Sequence, residues 1–147
     1  MVAAASSVAE NVAVEAAFRR LAESAGAVLI DVRTRAEWTY VGVPDLTSLG
    51  KDLILVEWQG FPDSRPNPAF VSEVSERLAA LGASEDWELY FICRSGARSQ
   101  LAAQAMLRAG FKRCFNVAEG FEGPLDENRH RGARTGWKAQ ALPWAQG

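Results

Sequence analysis

The sequence is poor in the residues that build metal centres and disulfide frameworks. Its 147 residues include two cysteines, Cys93 and Cys114, and one histidine, His130. A tetrahedral zinc site needs four such ligands, and a disulfide framework needs several cysteine pairs, so the composition argues against both. We therefore expect no metal and no other cofactor, and a reducing compartment in which a thiol stays free.

Long apolar runs and a strong charge of one sign are missing as well. No stretch approaches the roughly 20 apolar residues that span a bilayer. The start, MVAAASSVAE, has neither the basic segment nor the apolar core of a secretion signal. The formal net charge of -2 argues against nonspecific binding of nucleic acid. We therefore expect a cytoplasmic protein that binds neither nucleic acid nor membranes.

Short apolar runs alternate with helical patterns along the chain. Four runs predict buried strands, and NVAV near the start fits a short edge strand. The four runs are AVLID (27–31), DLILVEW (52–58), ELYFI (88–92) and RCFNV (113–117). This alternation predicts an α/β domain, with a mostly parallel sheet of about five strands and helices on both faces. The length favours one domain over residues 1–147, with its core at about 10–125 and a tail, 126–147, that packs on or near it.

Three helices are predicted, each with apolar side chains three or four residues apart and a glycine at its end. Their apolar residues and final glycines are Val14, Phe18, Leu21 and Gly26; Phe70, Val74, Leu78, Leu81 and Gly82; and Leu101, Ala105, Ala109 and Gly110. Asn67 and Pro68 are expected to begin the second helix. Because ligands bind beyond the carboxyl ends of parallel strands, we expect a site near Asp31, Cys93 and Glu119.

The strand ELYFI runs directly into Cys93, and a polar turn and a helix follow it. A short loop between a strand and a helix curls its backbone N–H groups inward and forms an anion-binding nest. Gly96 permits the backbone angles of such a turn, and Arg94 and Arg98 add positive charge near the helix N-terminus. These features favour the thiolate form of Cys93. Cys114 lies inside RCFNV, and we expect it to be buried and inert.

Three segments resemble the rhodanese-like sulfurtransferase family: LIDVRTRAEW (29–38), CRSGARS (93–99) and FKRCFNVAEGFEG (111–123). The chain looks like a single-domain rhodanese. The resemblance implies the rhodanese-like three-layer fold and a thiosulfate sulfurtransferase-like enzyme. In such an enzyme, Cys93 takes sulfane sulfur from a small anionic donor such as thiosulfate and becomes a persulfide. The sulfur then passes to cyanide, to a thiol or to a protein acceptor.

The resemblance also implies a role for every residue of the cysteine loop. The loop amides stabilise the persulfide, and the two arginines orient the anionic donor. The hydroxyl of Ser95 donates a hydrogen bond, and Ser99 either does the same or only begins the helix. The substrate-binding set is therefore Arg94, Ser95, Gly96, Ala97, Arg98 and Ser99.

Two other functions stay open. Cysteine phosphatases use a related loop with the pattern C-x5-R, but here the arginine, Arg98, comes one residue earlier. The shorter loop favours one sulfur atom over a phosphoryl group, which has three equatorial oxygens to bind. A regulatory or sulfur-relay module would load sulfur on the same Cys93 and release it only to a partner protein.

Seven further residues are candidates outside the loop. The resemblance places Asp31, Arg33 and Glu37 behind it, with Arg33 paired to one of the two carboxylates. Residues near predicted strand ends either line the mouth of the pocket or pack in the core; they are Trp58, Phe61, Glu119 and Phe121. In the tail, Arg129, Arg131 and Arg134 form a basic stretch that either contacts an acidic partner or is solvated. We favour the solvated stretch and expect Trp137 and Trp144 to anchor it.

Overall fold

Five parallel strands form the central sheet of the protein. The computed structural model describes residues 8–132 and 135–146. In chain order the elements are β1 (Glu10–Val12), α1 (Val14–Glu23), β2 (Ala27–Asp31), α2 (Arg35–Val41), β3 (Val43–Pro44), a 3-10 turn (Thr47–Leu49), β4 (Ile54–Leu55), α3 (Phe70–Ala80), β5 (Glu88–Ile92), α4 (Ala97–Arg108), β6 (Arg113–Val117) and β7 (Trp144–Ala145). The sheet order is β1-β6-β5-β2-β4, and β3 and β7 form a separate antiparallel pair.

The sheet is covered on both faces, as expected for this strand order. One core cluster joins α3 and α4 to one side of the sheet, through residues such as Val74, Met106 and Phe91. A second cluster joins α1 and the C-terminal segment to the other side, through residues such as Leu21, Tyr90 and Trp137. Every residue of β2 and β5 is buried, which is typical of central strands in a parallel sheet. The predicted α/β fold class is confirmed.

Some element boundaries and faces differ from the predictions. Of the strand predicted over 52–58, only Ile54 and Leu55 form a regular strand paired with β2. Beyond it the amides of Val56 and Trp58 still donate to the carbonyls of Asp31 and Val32, at 3.2 and 3.1 Å. Helix α3 begins at Phe70 rather than Pro68. Leu81 and Leu101 are 41% and 49% exposed, so they are not part of the buried faces of their helices. Helix α4 instead packs on the sheet through Ala102, Ala103 and Met106, beside the buried Ser99.

The C-terminal segment packs against the second face of the sheet. Trp137 is fully buried, and its indole Nε1 donates to the carbonyl of Pro143 at 2.6 Å. Trp144 pairs with Pro44 in the β3–β7 ladder. Arg134, part of the predicted basic stretch, lies outside the described residues.

Among the described residues, no helix is both long and apolar enough to cross a membrane.

Candidate active site

Cys93 lies immediately beyond β5, at the carboxyl end of the sheet. Asp31 and Ile92 are opposite each other in the β2–β5 register, and the amide of Val32 donates to the carbonyl of Ile92 at 2.9 Å. The register pair and this hydrogen bond hold the ends of β2 and β5 next to each other. The Cys93 side chain is 1% exposed and belongs to the core cluster on the α3–α4 side.

Three groups of the loop and of α4 surround the Cys93 sulfur. The amides of Gly96 and Ser99 donate to Sγ at 3.1 and 3.3 Å, and the Ser99 hydroxyl lies 3.1 Å from it. Both amides belong to the start of α4, where the helix dipole is positive. Among the described residues, the amides of Ser95, Ala97 and Arg98 have no hydrogen-bond acceptor. The loop therefore directs two amides at the Cys93 sulfur and has three further amides without an acceptor.

Asn116, on the neighbouring strand β6, orients the Ser99 hydroxyl. Its Oδ1 accepts from Ser99 Oγ at 2.6 Å, while its Nδ2 donates to the Gly96 carbonyl at 3.1 Å and to Asn11 Oδ1 at 2.9 Å. Because a carbonyl only accepts, the contact with Gly96 fixes which end of the amide faces Ser99. One side chain thus positions two residues that contact the sulfur. The sequence analysis did not identify it, because a single asparagine in a strand carries no signal without its partners.

The turn after β6 packs against the back of the cysteine loop. The amide of Phe121 donates to the Cys93 carbonyl at 2.8 Å, and the amide of Glu122 donates to the Arg94 carbonyl at 3.0 Å. Gly96 has φ of +107°, and a Cβ there would overlap the carbonyl oxygen of Ala118. At Gly120 a Cβ would lie 2.5 Å from the Arg94 carbonyl oxygen. Glycine is required at both positions because backbone approaches backbone directly.

Glu37 holds one of the two loop arginines. Arg98 donates to both Glu37 oxygens, at 2.7 and 2.9 Å. Burial opposes ionisation of Glu37, but hydrogen bonds from Arg98 and from the Thr34 backbone outweigh it and lower the pKa of that carboxyl to about 2. Thr34 and Glu37 also form the capping box that begins α2, a helix the sequence analysis did not predict. The charge of Arg98 is therefore paired, whereas Arg94 is exposed at the mouth.

Arg33 and Asp31 form a fully buried ion pair behind this arrangement. Arg33 donates to the Asp31 carboxylate through Nε at 3.0 Å and through Nη2 at 2.7 Å. It also donates to the Gly42 carbonyl and stacks over the Phe121 ring, 4.3 Å from its centroid. Of the two partners considered for Arg33, the structure shows Asp31. The pair connects β2 to Gly42, the residue before β3. Its hydrogen bonds do not include the Cys93 sulfur.

The cavity above the loop has a volume of about 890 Å³ and is lined by Arg94, Arg98, Phe61 and residues of α2 and of the 122–131 segment. Phe61 is 71% exposed there. The other three predicted rim residues are not among the described residues that line it. Phe121 is buried under Arg33, and Trp58 packs edge-on against Phe70. Of the two alternatives kept open, rim or core, the contacts of Trp58 and Phe121 are those of packed side chains. Glu119 lies in the turn after β6.

Cys114 lies within β6, opposite Leu89, and is 4% exposed. Burial raises the pKa of its thiol to about 12. Its thiol therefore stays protonated near neutral pH, as expected for a packed side chain.

Comparisons with known proteins match nearly the whole chain. A family model described as the STR4 middle domain covers residues 9–147. An uncharacterised protein of Rickettsia conorii is 37% identical over 135 residues, which are 92% of this chain and 96% of that one. A crystal structure of a Mycobacterium tuberculosis protein has a TM-score of 0.85 and 44% identity, covering 95% of this chain and 99% of that one.

The name of another relative describes a domain type. The chloroplastic rhodanese-like domain-containing protein 4 of Arabidopsis thaliana is 27% identical over 130 residues, 88% of this chain and 24% of that protein. Together these matches show that the chain belongs to the rhodanese-like family.

Proposed function

We propose that this rhodanese-like protein is a sulfurtransferase that carries sulfane sulfur on Cys93. The main support is the pair of amides, from Gly96 and Ser99, that donate to the Cys93 sulfur at 3.1 and 3.3 Å. Donors directed at a buried sulfur stabilise negative charge there before any substrate arrives. They suit a sulfur that carries negative charge during a reaction, next to a cavity that Arg94 and Arg98 line.

The reaction is two displacements at sulfur. The Cys93 thiolate attacks the outer sulfur of thiosulfate, a new S–S bond forms, the S–S bond of thiosulfate breaks, and sulfite leaves with the bonding electrons. Cyanide or an acceptor thiolate then attacks the outer sulfur of the persulfide and releases the Cys93 thiolate. The unpaired amides of Ser95, Ala97 and Arg98 are suited to hold the outer sulfur between the two steps.

The two loop arginines, Arg94 and Arg98, have different roles in this proposal. Arg94, exposed at the mouth, attracts the anionic donor. Arg98, paired through both nitrogens with Glu37, keeps the loop in position and adds little net charge. This division differs from the expectation that both cations orient the donor.

Intact-mass measurement after treatment with thiosulfate tests the proposal. The protein is expected to gain about 32 Da, one sulfur, as nucleophilic catalysis requires. Cys114→Ser, the matched control, is expected to gain the same mass, and Cys93→Ser none. A protein that gains no sulfur but hydrolyses an aryl phosphate would contradict the proposal in favour of a phosphatase.

A sulfur-relay module is the second candidate. The 1% exposure of Cys93 favours it, because a buried persulfide is protected from reaction with small thiols in solution. The two functions differ in turnover. A complete enzyme releases thiocyanate from thiosulfate and cyanide, whereas a relay module loads sulfur and keeps it until a partner is added.

A further inference from the structure

Three large apolar side chains stand exposed around the cavity above the cysteine loop. Tyr40 is 77% exposed, Phe61 71% and Leu125 48%, and all three line the same opening. They come from α2, from the segment after β4 and from the segment after β6. Exposed aromatic rings at a concave site are typical of protein interfaces, because they bury a large area at a small cost in conformational entropy.

The same opening carries an excess of positive charge. Among the described residues, its charged lining consists of four arginines and two glutamates, with His130 beside them. Arg98 and Glu37 neutralise each other, so Arg94, Arg129 and Arg131 outnumber Glu122. The guanidinium of Arg131 is fixed by a 2.9 Å hydrogen bond to the Gly123 carbonyl. This excess favours a ligand that carries carboxylates.

The cavity is also larger than a small anionic donor requires. Its volume of about 890 Å³ falls in the range of roughly 300–1,000 Å³ that holds drug-sized ligands. Thiosulfate has five heavy atoms and would leave the aromatic rim without a contact. Size, exposed rings and cations together indicate a ligand with the dimensions of a short peptide segment.

We propose that the sulfur acceptor is a cysteine-containing polypeptide with carboxylates next to its cysteine and an apolar side chain beyond them. The carboxylates lie against Arg94, Arg129 and Arg131, and the apolar side chain lies against Tyr40 and Phe61. This inference rests on the proposed function, since it names the acceptor of the same persulfide.

The transfer step is balanced without an oxidant or reductant. The acceptor thiol loses its proton to solvent, and its thiolate attacks the outer sulfur of the Cys93 persulfide. An S–S bond forms on the acceptor, the S–S bond to Cys93 breaks, and Cys93 leaves as a thiolate.

Transfer from the loaded full-length protein to synthetic peptides tests the inference. The probes are two ten-residue peptides, each with one cysteine and one phenylalanine, flanked either by aspartate and glutamate or by lysine. The rate at which each peptide gains about 32 Da is followed by mass spectrometry. We expect the acidic peptide to react at least about tenfold faster, with a difference that shrinks as salt is raised.

Variants separate recognition from the intrinsic reactivity of the two thiols. Arg129→Glu is expected to remove most of the acidic preference, whereas Arg19→Glu, an exposed arginine on α1 outside the cavity lining, is expected to keep it. Phe61→Ser is expected to slow transfer to the phenylalanine peptides and not to matched peptides with serine in its place.

Each outcome either supports or overturns the inference. If the ratio of acidic to basic rates is the same in the wild-type protein and in Arg129→Glu, the opening does not select carboxylates and the acceptor inference is wrong. Normal loading by thiosulfate in that experiment would leave the proposed function intact. Failure to load at all would overturn both.

Discussion

Cys93 directly follows β5, and Cys114 lies within the neighbouring strand β6. Both belong to the same core cluster, and they are 1% and 4% exposed. Their burial is nearly equal, but their hydrogen-bond partners differ. Two amides and a hydroxyl surround the Cys93 sulfur within 3.3 Å. Among the described residues, nothing donates to the Cys114 sulfur, and burial raises the pKa of that thiol to about 12. Burial alone therefore does not make a cysteine a candidate nucleophile. The difference between the two cysteines lies in the donors that are directed at the Cys93 sulfur.

The largest expected effect on activity comes from replacing the Cys93 sulfur with oxygen, and the same exchange at Cys114 is its control. Cys93→Ser is expected to lower thiocyanate formation by about a thousandfold or more, because the nucleophile is lost. Cys114→Ser is expected to stay within about twofold of the wild-type rate, because that side chain only packs. Steady-state assays with thiosulfate and cyanide measure both, and equal losses in the two variants would refute the distinction between the cysteines.

Gly96→Ala tests whether the geometry of the loop accounts for the difference in reactivity between the two cysteines. The new Cβ would overlap the Ala118 carbonyl oxygen, so the loop must move and the Gly96 amide must leave the sulfur. We expect sulfur loading to slow by about a hundredfold, the typical cost of one lost anion donor. Gly82→Ala is the matched control, since Gly82 also has a positive φ, +76°, but a Cβ added there would have no atom within 4 Å. Equal loading in the two variants would mean that the loop amide is dispensable.

Asn116→Ala is expected to have a smaller effect, because Asn116 acts through Ser99 and Gly96 rather than on the sulfur. We expect loading at saturating thiosulfate to slow by about tenfold with the KM for thiosulfate unchanged, as for a lost neutral hydrogen bond worth about 1–1.5 kcal/mol. Asn11→Ala removes a neighbour on the far side of the same amide and is expected to change loading less. A rise in KM without a fall in the limiting rate would show that Asn116 serves donor binding instead.

The smallest effect concerns stability at alkaline pH. The folded-state pKa of Cys114 is raised from 9.0 to about 12, so the protonated thiol stabilises the folded protein fully below about pH 9 and loses that contribution as pH rises toward 12. The difference in the free energy of unfolding between the wild-type protein and Cys114→Ala should therefore shrink over this range. Urea denaturation of both proteins at pH 7 and at pH 10.5 measures it, and a constant difference would contradict the expectation.

The sequence analysis predicted the central strands well because their signal is local. AVLID, ELYFI and RCFNV are strands over the predicted residues, and the turn after Cys93 starts helix α4 at Ala97. A run of consecutive, mostly apolar residues indicates such a buried strand from the sequence alone. The strand at the sheet edge was predicted too long, since its length depends on where its neighbour ends.

What the sequence analysis did not predict depends on contacts between distant segments. Asn116 contacts Ser99 from 17 residues away, and Glu37 contacts Arg98 from 61 residues away. Helix α2 is an exception, because its signal is local. The capping box of Thr34 and Glu37 lies in TRAE (34–37), and the sequence analysis did not predict the helix. The exposure of Phe61 and the burial of Phe121 were not visible, because both are aromatic residues near strand ends.

The groups that hold the Cys93 sulfur belong mainly to the backbone, and this affects which substitutions the loop tolerates. Every residue except proline supplies an amide, so Arg94, Ser95 and Ala97 can be exchanged for other types without removing the donors of Gly96 and Ser99. The two glycines packed against carbonyls fix the shape, and the remaining loop side chains are available to adjust which anion enters. A library randomised at Arg94, Ser95 and Ala97 would therefore test how these side chains set the preference for the anionic donor, while the amides that donate to the Cys93 sulfur stay in place.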